Sequence, residues 1–124
     1  MIQGDPPTCE ALVAQAVEKL PDWVRERLEN VAILVQPWPT AEQMRSAHVG
    51  RGRMLLGLYE GVPLIRRGQG YGLVPPDRIT LFQRPLEAMA SSREELIERV
   101  QHTIVHEVGH HFGFSDERLR ELGY

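Results

Sequence analysis

Two histidines four residues apart, with a glutamate after the first, are the residues of this chain best equipped for chemistry: His106-Glu107-Val108-Gly109-His110. On a helix, side chains at i and i+4 share a face, so His106 and His110 can hold one metal ion between them. Gly113 can end that helix, because glycine takes a left-handed conformation at no steric cost. The turn then brings a carboxylate back as third ligand. Asp116 and Glu117 both offer one, and the spacing favours Asp116. Three protein ligands with an open fourth position distinguish a catalytic zinc from a closed structural one. Zinc lowers the pKa of a water from about 15.7 toward 7 and polarises a carbonyl. Glu107 would take that water's proton as general base and pass it to a leaving amine. The pattern suits zinc-dependent hydrolysis of peptide bonds. The expected ligand atoms are Nε2 of His106, Nε2 of His110 and an Asp116 oxygen, at about 2.0–2.2 Å.

From average residue usage, chance yields H-E-x-x-H-x-x-G-x-x-D in roughly 10⁻⁵ of chains this long. A surface helix merely rich in His and Glu explains neither the spacing nor the glycine. His111 sits about 100° around the helix from His110 and should not share the metal. His102, four residues before His106, is expected beside the site and not in it. Tyr59, Tyr71 and Tyr124 are candidate oxyanion donors by their chemistry alone.

The metal motif resembles that of the zincin metallopeptidases. Metzincins place a third His where this chain has Asp116, and they add a Met-containing turn. No Met follows Asp116 here, so the resemblance is to a minimal zincin. More closely, the chain resembles a family of small bacterial zincin-like proteins. The resemblance rests on Gly57-Leu58-Tyr59-Glu60-Gly61-Val62-Pro63-Leu64, on Pro76-Asp77-Arg78-Ile79-Thr80-Leu81-Phe82, and on the metal motif with Ser115-Asp116-Glu117. It implies an α+β fold of minimal zincin type, with a small mixed sheet packed on an active-site helix. It implies Zn2+ and a peptide or protein substrate. Zincins bind an extended peptide by strand addition at a sheet edge. The strand over residues 79–83, or the hairpin strand beside it, should therefore rim the cleft. Eight residues follow Asp116. The cleft should thus be shallow, completed by a partner, a second subunit in a homo-oligomer, or an extended substrate.

Two other readings compete. One is a non-catalytic metal-binding protein of zincin fold. The other is a metal-dependent RNA-processing enzyme; small bacterial ribonucleases with three His on a similar helix lack the Glu that this chain has at 107. The formal charge of −3 also argues against nucleic acid as a partner.

The elements that must position these residues follow from pattern. Thr8 can cap a first helix, in which Leu12, Val13, Ala16, Val17 and Leu20 recur at helical spacing. Pro21 interrupts or restarts it, and Trp23, Val24 and Leu28 continue the stripe. Residues 31–35 are short, apolar and β-branched, which suits a central strand. Residues 41–47 suit a short helix. His48-Val49-Gly50-Arg51-Gly52-Arg53 reads as a solvated basic loop. Residues 54–59 and 62–65 flank a hairpin turn at Glu60-Gly61. Gly68-Gln69-Gly70-Tyr71-Gly72 lacks the phosphate-cradling pattern and reads as a linker. Pro85 limits the strand over 79–83. Ser91 and Glu94 form a capping box for the active-site helix, which runs to about Phe112. Ile97, Val100, Ile104 and Val108 anchor that helix in the core, leaving His106 and His110 on an adjacent face. Asp116-Glu117 open a last helical turn that packs through Leu119 and Leu122.

A length of 124 residues fits one domain over residues 1–124. With 42% hydrophobic and 25% charged residues, the composition is that of a soluble globular protein. The lone cysteine, Cys9, cannot form an internal disulfide. The first seven residues have neither the basic start nor the apolar core of a signal peptide. No apolar run approaches the 18 residues of a membrane span. The expected location is the cytoplasm, away from membranes.

Overall fold

Leu12, Val13, Ala16 and Leu20 are all buried, as their helical spacing requires, and they fix helix α1 (Pro6–Glu18) and the turn after it on the core. The computed structural model describes residues 6–47, 54–61 and 76–124, with side chains from residue 10 onward. The side chain of Cys9, the expected loops 48–53 and 68–72 and the expected return strand 62–65 lie outside what the structure describes. Helix α1 starts at Pro6, so Thr8 is inside the helix and does not cap it. Proline is favoured in a first turn, where its missing N–H has no partner to lose. Pro21 precedes helix α2 (Asp22–Arg27), whose Val24 is buried.

Strand β1 (Val31–Gln36) follows, then helix α3 (Ala41–Ser46). Thr40 and Gln43 cap α3 reciprocally: the Gln43 N–H donates to Thr40 Oγ1 at 3.0 Å, and the Thr40 N–H donates to Gln43 Oε1 at 2.8 Å. Strand β2 (Gly57–Glu60) is shorter than residues 54–59 suggest. Strand β3 (Asp77–Phe82) ends one residue early, because Gln83 opens helix α4 (Gln83–Ala88) and Pro85 sits in that helix's first turn. Helix α5 (Arg93–His111) and helix α6 (Asp116–Glu121) complete the described chain.

The sheet order is β1-β3-β2, with β1 parallel and β2 antiparallel to β3. Ile79 pairs with Ile33 on one side and Tyr59 on the other. β3 is therefore the centre of the sheet, and it cannot form the rim of a cleft. Ile79, Thr80, Leu81 and Phe82 are each at most 1% exposed, the continuous burial of a strand covered on both faces. Among the described residues β2 forms one edge, and it lies against α5. The fold is α+β, with α1, α2, α5 and α6 contributing to one core against the mixed sheet.

Candidate metal centre

The site is built on α5. The expected anchors Ile97, Val100, Ile104 and Val108 are all buried, together with Leu96 and Val105. The helix is capped one residue later than its first S-x-x-E pattern suggests: Ser92 accepts from the Glu95 N–H at 3.1 Å. Ser91 and Ser92 begin overlapping boxes; Ala90 packs in the core, and extended Ser92 links it to the helix. At the other end Gly113 has φ +90°. Its N–H donates to the His110 carbonyl at 3.1 Å, and the Phe114 N–H donates to the Gly109 carbonyl at 2.7 Å. This pair of bonds is a Schellman cap, which needs a left-handed residue at the position Gly113 fills. Ser115 then caps α6 by accepting from the Arg118 N–H at 3.1 Å. The two caps return the chain toward α5 with Asp116 at its start.

His106, His110 and Asp116 meet there, one ligand atom of each lying within 4.8 Å of the others. His110 Nε2–H donates to Asp116 Oδ1 at 2.6 Å. This bond, and then the positive charge of His110, holds the Asp116 carboxyl below the usual range. His106 differs from expectation. Its Nε2–H donates to the backbone oxygen of Tyr124 at 3.0 Å, and its Nδ1 faces Asp116 Oδ1 at 4.0 Å. The Tyr124 oxygen only accepts, so Nε2 carries a hydrogen, and Nδ1 is the nitrogen turned toward Asp116. Glu117 is exposed and outside the cluster.

Glu107 stands beside the imidazoles, half-buried. Burial pushes its carboxyl pKa up, opposed in part by a hydrogen bond from the Tyr59 backbone N–H and by the charges of His110 and His106. The edge of β2 comes this close because of Gly57: a Cβ there would lie 2.7 Å from Thr103 Cγ2. A cleft of about 280 Å³ runs between residues 55–57 and the helix face of His102, Thr103, His106, Glu107 and His110. His102 stacks on His106 with centroids 4.2 Å apart, beside the cluster as its spacing suggests. His111 points away, stacked on Tyr59 at 3.9 Å. The Tyr59 hydroxyl donates to Asp77 Oδ2 at 2.8 Å, which takes it from the candidate oxyanion donors. Tyr124 enters through its backbone, and Tyr71 lies outside the described residues.

Residues 28–124 match the zincin-like metallopeptidases. The chain belongs to that family. No curated protein matches it. A zincin-like metallopeptidase calls for zinc, and the donor chemistry fits: two imidazole nitrogens and a carboxylate oxygen are ligands zinc takes in catalytic sites. All three side chains are exposed or half-buried, so small adjustments toward an ion disturb no core packing. Among the described residues, no helix of this zincin-like chain is long and apolar enough to cross a membrane.

Several residues that shape the site escaped the spacing argument. Gly109 is one: a Cβ there would lie 2.7 Å from Leu119 Cδ2. Its absence lets α6 pack on α5 close enough to present Asp116. A glycine inside an amphipathic helix costs about 1 kcal/mol against alanine, and that cost was the available signal. The Tyr59 N–H and the Tyr124 backbone oxygen carry no sequence signal, since every residue but proline has both groups.

Proposed function

We propose that this protein is a zinc-dependent peptidase in which His106, His110 and Asp116 hold the metal and Glu107 is the general base. The observation that carries this reading is the convergence of those three ligand groups beside a half-buried, hydrogen-bonded carboxylate on the wall of one cleft. Zinc bound there would polarise the scissile carbonyl and lower the pKa of water. Glu107 receives a proton and returns it to the leaving amine. The Tyr59 N–H orients the carboxylate while its acceptor capacity exceeds that one bond. In the metal-free protein burial raises the Glu107 pKa, and zinc bound beside it would favour the ionised carboxylate that a base requires. The Tyr124 oxygen fixes the His106 tautomer with Nδ1 toward the cluster. The outer side of β2, which pairs with no strand among the described residues, is the surface for an extended peptide or protein substrate.

A non-catalytic metal protein is the alternative that one observation favours, the small volume of the cleft. The two separate on a proteome-derived peptide library digested by zinc-loaded wild type and Glu107→Gln. Wild type is expected to generate new termini, and Glu107→Gln to keep its zinc while losing at least a hundredfold in rate, within the usual scale for a general base. Equal cleavage by both proteins would remove Glu107 from the mechanism. No cleavage by zinc-loaded wild type would favour the alternative.

A further inference from the structure

We infer that Arg27 is a positioning residue for Asp116, acting through an aromatic clamp on the turn that carries this ligand; the consequence for zinc rests on the metal-site reading above. The three ligands are not equally secured. His106 and His110 stand on α5, which is anchored along its length in the core. Asp116 belongs to the short helix beyond the turn, and its side chain is 66% exposed. Its place relative to the histidines is set by residues 112–115. An error in that turn displaces one ligand and leaves the other two untouched.

The clamp reaches this turn from α2. Arg27 Nη1 donates to the Trp23 carbonyl at 2.8 Å, which anchors the guanidinium at the end of its own helix. From there its carbon lies 5.7 Å from the ring centroid of Trp23, 5.4 Å from that of Phe112 and 5.8 Å from that of Phe114. All three are within cation–π range. Trp23 and Phe114 also stack, with centroids 5.0 Å apart and planes at 29°. Phe112 and Phe114 flank Gly113, the residue at φ +90°. One cation thus holds the rings on both sides of the reversal. Arginine suits this better than lysine, because its planar, weakly hydrated head stacks on rings. Neither Arg27 nor Trp23 falls within the residues matched by the family, which begin at 28.

Groups that orient a metal ligand typically change affinity 10–100-fold when removed. The test uses the full chain and zinc ion itself, with affinity read by competition against a chromophoric chelator. The variants are Arg27→Met, Asp116→Ala and the double variant; Arg27→Lys serves if Arg27→Met does not fold. Arg27→Met should weaken zinc binding about tenfold or more, and Arg27→Lys several-fold. In the Asp116→Ala background the same change should matter less than twofold, because the ligand it positions is gone. An equal loss in both backgrounds, or no loss in either, overturns the inference. Amide exchange in metal-free protein gives an independent readout. The Phe114 N–H, bonded to the Gly109 carbonyl, should exchange at least tenfold faster in Arg27→Met, with Ile104 and Val105 unchanged. An unchanged Phe114 rate overturns the clamp. If wild type takes up no zinc, the metal-site reading falls, and amide exchange still decides the clamp.

Discussion

Glu107 is held in a state that costs stability. Burial raises its pKa in the folded protein, and the Tyr59 N–H and the two imidazoles compensate only in part. A raised carboxyl pKa means that the folded form binds the proton more tightly than the unfolded form. Well below the ordinary value of 4.5 both forms are protonated and no cost arises. As pH rises through that value, the unfolded form ionises freely while the folded form ionises against burial, so the cost grows. Metal-free Glu107→Gln should therefore be more stable than wild type at neutral pH by roughly 0.5–2 kcal/mol. The gain should fade as pH falls below about 4.5. Denaturant melts across a pH series would check this; a gain independent of pH would trace to shape instead of charge. At this scale much was legible. Spacing alone picked His106, His110 and Asp116, because i, i+4 geometry and a glycine turn are local properties. The nitrogen that His106 presents was not legible, because it depends on the Tyr124 oxygen, 18 residues away.

Among the elements, the packing of α6 on α5 acts together with the turn over 112–115 to place the third ligand. Gly109→Ala places a methyl 2.7 Å from Cδ2 and 3.1 Å from Cδ1 of Leu119, which is fully buried, so the leucine must shift within the core. Alanine gains about 1 kcal/mol in helix propensity. Overpacking costs about 1–3 kcal/mol. The expected net is a loss of about 1 kcal/mol in thermal melts, with weaker zinc uptake as α6 shifts. Higher stability with unchanged zinc affinity would show that this contact does not position Asp116. Helical periodicity foretold α1, α2 and α5 because each buries a face that its own spacing writes. Sheet order was harder. The run Ile79-Thr80-Leu81-Phe82 identifies a strand, but its central place comes from parallel pairing with β1, 46 residues back. The shift from Ser91 to Ser92 as cap was likewise not legible, because both serines have a glutamate three residues on.

On the scale of the molecule, the size of the cleft bears on which substrates the proposed peptidase would cut. About 280 Å³ is less than drug-sized ligands commonly occupy. On the proposed reading a cleft this small buries little substrate surface, so affinity would come from main-chain pairing along β2 and from contacts beyond the cleft. Short generic peptides should be cleaved at least tenfold less efficiently, in kcat/KM, than extended or protein substrates carrying the same bond. Rapid, specific cleavage of short peptides by a demonstrated monomer would contradict this. The α+β class and the minimal zincin fold were legible because one specific motif points to one architecture. The approach of α2 to the turn was not, because Arg27 meets Phe112 and Phe114 only after the whole chain folds. The central claim concerns the metal, and anomalous diffraction at the zinc edge from zinc-loaded crystals tests it most directly. One peak bound by His106, His110 and Asp116 at about 2.0–2.2 Å is the predicted result. A zinc-loaded crystal with no peak between the two imidazoles, or with its zinc on other residues, would contradict it.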